Sequence, residues 1–313
     1  MSGATTPAHG KMMMPQAGHG RMMIGAAVAA VGVAAVLVAM KFFAYLATDS
    51  IAMMASLADS ALDVFASFVN LLAIRQALTP ADREHRFGHG KAEPLAGLGQ
   101  SGLIAGSVAF LLIESVSRLI APHPIEFASA GLIVMVISIV ATAALVIGQR
   151  IVVRRTGSLA VGADRMHYLG DLVTNVGVIL GIVLASQFGI LIADPIIGIG
   201  VAAILLWSAV HVFRQSYDQL MDHELPDTDR SRIKAIVMAH PDVKALHDLR
   251  TRAAGVHSFI QLHLELDPQM NLLRAHEISD AVEAELCAQF PHAEVIIHQD
   301  PAGIEDNAAL AAG

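Results

Sequence analysis

Two pairs of ionisable residues interrupt long apolar stretches of the sequence. Asp59 and Asp63 are four residues apart, and His167 and Asp171 repeat that spacing farther along the chain. Residues four apart lie on one face of an α-helix, so each pair would present two metal ligands in one direction. Three carboxylates and one imidazole suit a tetrahedral Zn²⁺, whereas Ca²⁺ and Mg²⁺ favour all-oxygen sites with about six or more ligands. The two pairs therefore predict a transition-metal site shared between two helices.

The alternative is a buried hydrogen-bond network, or a proton relay that binds no metal. An ionised Asp in the hydrocarbon layer of a membrane costs at least about 2.5 kcal/mol, and two carboxylates on one helix face also repel each other. A divalent cation bound between the pairs removes that repulsion. Because two matched pairs need a common reason to lie in apolar segments, we favour the metal site over the network.

Other histidines form two further groups. Asp82, His85 and His89 follow the second apolar segment, and they would either close on one ion or belong to a flexible basic loop. The second group lies near the C-terminus and consists of His247, His263, His276, His298 and Asp300. Two ions bridged by Asp300 would fit this group, and scattered surface histidines are the alternative. The single cysteine, Cys287, excludes an intrachain disulfide and a cysteine-based zinc site.

The elements that must position both pairs are apolar segments long enough to cross a bilayer. The 313-residue chain has a mean hydropathy of +0.58 and only 15% charged residues, against about 25% in soluble domains. Six segments approach the roughly 20 residues that cross a membrane as a helix. They are 24–46, 51–74, 95–117, 128–149, 166–187 and 190–213. The fifth has a polar start, and its helix is expected to begin near residue 160. The sequence thus predicts an all-α bundle of six transmembrane helices.

These segments place both ionisable pairs at a similar depth. Asp63 is twelve residues past Ile51, which is about 18 Å at about 1.5 Å per residue. The fifth helix runs in the opposite direction, and Asp171 lies about as far from its inner end. The two pairs are therefore expected to meet near the middle of the membrane.

Lysine and arginine residues are distributed unevenly between the two sides of the predicted bundle. One side receives the basic residues of the N-terminal segment, those of 75–93 and 150–160, and Arg214, while the other side receives only Arg118. The positive-inside rule places the basic side, with both termini, in the cytoplasm. The formal net charge of −8 and the lack of basic clusters with interleaved aromatic residues argue against nucleic-acid binding.

After Arg214 the sequence changes to the polar and apolar alternation of a soluble domain. Helices are predicted over 227–239 and 271–290, and strands over 247–252, 256–267 and 294–299. In the second strand one face would carry Ile260, Leu262, Leu264 and Leu266, and the other His257, Gln261, His263 and Glu265. These elements predict a small α+β domain.

The predicted domain boundaries follow from these changes in composition. Residues 1–21 are expected to form a disordered cytoplasmic tail and 22–216 the transmembrane domain. Residues 217–301 would form the cytoplasmic α+β domain, and 302–313 a second disordered tail.

Several stretches resemble one known family. They are Leu57-Ala-Asp59-Ser-Ala-Leu-Asp63, His85-Arg-Phe-Gly-His89-Gly-Lys91-Ala-Glu93, His167-Tyr-Leu-Gly-Asp171, Ala245-Leu-His247-Asp-Leu-Arg-Thr-Arg252 and Val295-Ile-Ile-His298-Gln-Asp-Pro301. The first three are similar to motifs of the cation diffusion facilitator family. The last two are similar to those of its bacterial zinc and ferrous-iron efflux pumps, and the resemblance covers about residues 22–301.

This resemblance implies a homodimer in the cell inner membrane. It also implies a ferredoxin-like, metallochaperone-like cytoplasmic domain and metal–proton antiport. Asp59, Asp63, His167 and Asp171 match the transport-site positions, and Asp82, His85 and His89 match a loop site. His247, His263, His276, His298 and Asp300 match a binuclear site at the cytoplasmic dimer interface. Lys91 and Asp222 match an interlocking charge pair.

The resulting hypothesis is a transporter that exports a divalent ion by alternating access, with protons as counter-substrate. His167 ranks Zn²⁺ first, and Fe²⁺, Cd²⁺, Co²⁺ and Mn²⁺ stay open. A metal-sensing membrane receptor without transport is the alternative, but it would not need carboxylates in the membrane. An enzyme is not expected, because neither His223-Glu224 nor His276-Glu277 continues as the His-Glu-x-x-His of a metalloprotease helix.

Overall fold

The computed structural model describes residues 17–48, 51–120, 129–188 and 192–303. These residues form two compact units that divide between Leu220 and Met221. The first unit consists of six long helices: α1 (Ala17–Thr48), α2 (Ile51–Ala77), α3 (Ala92–Ile120), α4 (Ser129–Thr156), α5 (Leu159–Phe188) and α6 (Ala193–Leu220). Helix α1 begins at Ala17, so residues 17–21 of the segment predicted to be a disordered tail are helical. Residues 1–16 and 304–313 of the predicted tails lie outside the described part.

Four of the six helices are long and apolar enough to span a membrane, as judged over the described residues. These stretches are Gly18–Leu46, Ala92–Ile120, Ile133–Thr156 and Pro195–Leu220. The two helices outside this set, α2 and α5, are the ones that carry the predicted ionisable pairs. Their length of 27 and 30 residues exceeds the roughly 20 needed to cross a bilayer.

The start of α5 is fixed by a two-residue turn after α4. Gly157 has a φ of +68°, and its N–H donates to the carbonyl oxygen of Val153 at 2.8 Å. This left-handed residue ends α4 at the position where glycine is favoured. Ser158 then caps α5, because its Oγ accepts from the N–H of Val161 at 3.3 Å. The short connection makes α4 and α5 antiparallel neighbours and sets where α5 begins.

The second unit is a three-stranded sheet covered by two helices. Its elements are α7 (Asp227–Met238), β1 (Ala245–Ala254), β2 (His257–Leu266), α8 (Leu272–Gln289) and β3 (Ala293–Pro301). The strand order is β1-β2-β3. β1 pairs antiparallel with β2, and α8 carries the chain across to β3, which is parallel to β2. Each helix and strand predicted for this unit is present, so the predicted α+β class is confirmed.

One face of the sheet forms the hydrophobic core of this unit. Ile260, Leu262 and Leu264 of β2 are 1%, 0% and 0% exposed, and they pack with Ile278 and Leu286 of α8. The period of two along a strand produces this face directly. His257 departs from the predicted pattern, because it lies on the opposite face and is nevertheless buried.

Leu262→Ala is expected to lower the stability of the C-terminal domain by about 2–5 kcal/mol, because it leaves a cavity in a fully buried position. Unfolding of the full-length protein in denaturant, followed by a probe in this domain, measures the change. Leu272→Ala is the matched control, since Leu272 is 79% exposed. Equal unfolding midpoints for the two variants would contradict the assigned core.

Candidate metal centres

The first candidate centre lies between α2 and α5. Oδ1 of Asp63 is 3.0 Å from Nε2 of His167, and Oδ2 of Asp171 is 3.8 Å from the same nitrogen. One ligand atom of each residue lies within 4.8 Å of the other two. His167 is 8% exposed, whereas the side chain of Asp171 is 31% exposed, so the imidazole is buried and the two carboxylates are partly accessible. The structure thus brings together three of the four side chains predicted from the two i, i+4 pairs.

Asp59, the fourth predicted ligand, is exposed and lies outside this three-residue group. It is one helical turn before Asp63 on the same face of α2. The nearby Ser60 accepts a hydrogen bond at 2.6 Å from Nζ of Lys41 in α1, which also donates to the carbonyl oxygen of Ser56 at 3.2 Å. Asp59 therefore lies in a polar region that also contains a lysine.

Sequence reasoning missed Lys41. Its ammonium group is close enough for electrostatic attraction to Asp59, Asp63 and Asp171. The signal was present in the sequence, since Lys41 is a basic residue within the apolar segment 24–46. It places a positive charge beside the carboxylates of the first centre.

The second candidate centre is the loop between α2 and α3. Asp82 lies 3.4 Å from Nδ1 of His85 and 3.5 Å from Nε2 of His89. The N–H groups of His85 and Glu84 donate to Oδ1 of Asp82 at 2.6 and 2.9 Å. The hydrogen bond from the His85 backbone is the main reason that the pKa of Asp82 lies below its ordinary value. The carboxylate is therefore charged and pre-positioned at neutral pH, as a metal ligand must be.

The third candidate centre is a row of histidines on the polar face of the C-terminal sheet. His247 of β1 pairs with His263 of β2, which pairs with His298 of β3. Asp300 contacts all three imidazoles, because its Oδ2 is 2.8 Å from His263 and 3.4 Å from His247, and its Oδ1 is 3.2 Å from His298. The strand register thus gathers residues that are far apart in sequence around one carboxylate.

The remaining predicted site residues have other contacts. His276 lies on α8, where its Nδ1 is 3.6 Å from Asp280, and within this chain it is not among the groups of close metal ligands found in the described residues. Lys91 donates to the carbonyl oxygen of Leu220 at 3.3 Å. Asp222 accepts from Arg252 at 3.2 Å. The predicted pairing of Lys91 with Asp222 stays a prediction.

A further pair of histidines lies away from the histidine row. His257 and His292 meet edge to face, with ring centroids 6.3 Å apart. Burial lowers the pKa of His257 below its ordinary value, and the charge of a protonated His292 lowers it further. His257 is therefore neutral in the folded domain at pH values where an exposed histidine is already protonated.

The helical bundle and its buried group of carboxylates and imidazole define a multi-pass membrane protein that binds cations. Residues 27–221 match the family model of the cation efflux transmembrane domain. Residues 225–302 match that of the cytoplasmic domain of cation efflux proteins. The chain belongs to the cation efflux, or cation diffusion facilitator, family, and it is a transporter rather than an enzyme.

Individual relatives are similar over nearly their whole length. The cation-efflux pump FieF of Klebsiella pneumoniae subsp. pneumoniae is 44% identical over 286 residues, which cover 91% of this chain and 95% of the relative. FieF of Escherichia coli is 42% identical over the same coverage. Among solved structures, the metal-bound C-terminal domain of the CzcD transporter from Thermotoga maritima is 28% identical. It covers 26% of this chain and 100% of its own, with a TM-score of 0.25.

The C-terminal domain is expected to lose stability in acid partly through His257. A histidine whose pKa is lowered by folding contributes stability that is present above its unfolded pKa of about 6.5 and is lost as the pH falls through the lower, folded value. The unfolding midpoint of His257→Phe should therefore decrease less than that of the wild type between about pH 7 and pH 5. His223→Phe, at an exposed position of the same domain, is the control, and an unchanged slope in His257→Phe would refute the assignment.

Proposed function

We propose that the chain exports a divalent transition-metal ion, Zn²⁺ first, from the cytoplasm in exchange for protons. The observation that carries this proposal is the close group of Asp63, His167 and Asp171 between two helices of the membrane domain. Nitrogen and oxygen ligands together favour a transition metal over Ca²⁺ or Mg²⁺. The names of the FieF relatives, which are cation-efflux pumps, support the direction of transport.

Competition between metal and protons for the same atoms supplies the coupling. A carboxylate or an imidazole must lose its proton before it binds a metal ion, so the two substrates exclude each other at this site. When the site faces the cytoplasm, the deprotonated ligands bind the ion. When it faces outward, entering protons occupy the ligands and displace the ion. An inward proton gradient then drives outward metal flow.

Asp59 completes the coordination in this proposal. It lies one turn from Asp63 on the same face of α2, so a change of side-chain rotamer or a small movement of α2 would bring its carboxylate to the group. Four ligands then form the tetrahedral set that Zn²⁺ favours.

The membrane placement follows from the distribution of basic residues. Arg75, Arg154 and Arg155 lie in the last turns of α2 and α4, on the side that also carries the loop with Asp82. The positive-inside rule assigns this side, both termini and the C-terminal domain to the cytoplasm. We place the protein in the cell inner membrane on this basis and on its family membership.

The C-terminal domain is proposed to bind regulatory metal and to form the homodimer. Asp300 contacts imidazoles with both of its oxygens, and a bridging carboxylate of this kind fits two ions held by nitrogen and oxygen donors. His247, His263 and His298 would hold them, with His276 added on dimerisation. The loop residues Asp82, His85 and His89 form a further site, and Lys91 with Asp222 the interlocking charge pair.

Asp63→Asn should abolish Zn²⁺ flux driven by a pH gradient in proteoliposomes, because it removes a ligand and a proton acceptor together. The flux is expected to fall by at least about tenfold, because loss of a residue that only supports a metal ligand already has about that effect. Asp227→Asn is the matched control, since the side chain of Asp227 is 96% exposed. Undiminished flux in Asp63→Asn would refute the proposal. If the wild-type protein binds Zn²⁺ but shows no flux, the result favours the sensing receptor.

Asp300→Asn should lower the amount of Zn²⁺ bound by the purified full-length protein while it leaves the membrane site intact. An amide cannot bridge two cations as a carboxylate does, so the loss should be about one to two ions per chain. Equilibrium dialysis with metal analysis measures it, and Asp229→Asn is the control. Wild-type stoichiometry in Asp300→Asn would exclude a centre built on this carboxylate.

A further inference from the structure

We propose that Asp164 is a positioning residue that holds α2 and α5 at the spacing at which Asp63 meets His167. The inference rests on the proposed function, because it concerns the same metal site. Asp164 is 1% exposed and lies three residues before His167 on α5. It is outside the three-residue ligand group, so it acts on that group through the helices.

Asp164 joins three helices through both of its carboxylate oxygens. Its Oδ2 accepts from Nε2 of Gln149 in α4 at 2.7 Å, and its Oδ1 accepts from Oγ of Ser67 in α2 at 3.4 Å. Gln149 and Ser67 are both 1% exposed. Hydrogen bonds to a charged acceptor are stronger and more directional than apolar contacts. The carboxylate therefore restricts sliding of α2 and α4 along α5.

The hydroxyl of Tyr168 extends this network to a fourth helix. It donates to Oγ of Ser67 at 2.7 Å, since the Ser67 proton goes to Asp164, and it lies 3.4 Å from the carbonyl oxygen of Ala30 in α1. Tyr168 directly follows the ligand His167 and is itself 1% exposed. The side chains around Asp164 thus connect α1, α2, α4 and α5.

The Asp164 contact with Ser67 lies between two other polar contacts of α2 with α5. Asp63 meets His167 at 3.0 Å, Ser67 meets Asp164 one turn farther along, and Nδ2 of Asn70 donates to the carbonyl oxygen of Ala160 at 3.3 Å. Each step up α2 is matched by a similar step down α5, as antiparallel helices in fixed register require. Because the ligands belong to this register, loss of the Asp164 contact shifts Asp63 relative to His167.

The test compares Asp164→Ala with Asp164→Asn in the full-length protein. Alanine removes both acceptors, whereas asparagine keeps one oxygen acceptor and an amide that Gln149 and Ser67 can both accommodate. Ser138→Ala is the control, because Ser138 is 3% exposed but bonds within its own helix, to Val134 at 2.8 Å. The readouts are Zn²⁺ flux in proteoliposomes, resolved into KM and maximum rate, and thermal unfolding in detergent.

Asp164→Ala is expected to raise KM for Zn²⁺ by about tenfold or more, as loss of an outer support of a metal ligand does. Asp164→Asn should stay within about threefold of wild type and unfold near the Ser138→Ala midpoint. Asp164→Ala should unfold at a lower midpoint, because it leaves the buried Gln149 and Ser67 without their acceptor. An unchanged KM in Asp164→Ala, or an equal loss in Asp164→Asn, overturns the assignment. If Asp164→Ala does not fold, Ser67→Ala removes the same link to α2, and an unchanged KM there overturns it.

The same assay separates this inference from the proposed function. Zn²⁺ flux in the wild type that Asp63→Asn abolishes supports the transport site. If that result holds while Asp164→Ala behaves like Ser138→Ala, only the positioning role fails. If Asp63→Asn retains flux, the transport site itself is refuted and the role of Asp164 falls with it.

Discussion

The contact between Asp63 and His167 is the interaction on which the membrane domain depends. Each of these side chains would be costly by itself in the hydrocarbon layer, and at 3.0 Å each gives the other a polar partner. That partnership requires α2 and α5 to be neighbours, antiparallel and in one register.

The C-terminal domain builds a similar set of donors by a different route. In the membrane, helices bring ligands together through i, i+4 spacing on facing surfaces. In the sheet, hydrogen-bonded register aligns His247, His263 and His298 across three strands, and Asp300 follows two residues after the last of them. The opposite face of the same strands is apolar and packs on α8. Fold stability and ligand placement therefore come from one alternating pattern.

Local patterns predicted most of the elements, because hydrophobic periodicity is a property of neighbouring residues. They also predicted the group of Asp63, His167 and Asp171, because spacing within each helix fixes the shared face. They did not reveal the contacts of Asp164 with Gln149 and Ser67, since those partners lie on other helices. The exposure of Asp59 and the separation of His276 from the histidine row likewise depend on packing between elements that sequence spacing does not encode.

The position of α5 is determined by contacts in its first two turns as well as by the ligands. At its first turn, Oε2 of the fully buried Glu93 accepts from Oγ of Ser158 at 2.6 Å and from the N–H of Ala160 at 3.2 Å. Glu93 belongs to the first turn of α3, directly after the loop that carries His89. The start of α5 is thus tied to the end of that loop, and its next turn is tied to α2 and α4. Geometry at His167 is therefore set by contacts at the first two turns of α5 as well as by the ligands themselves.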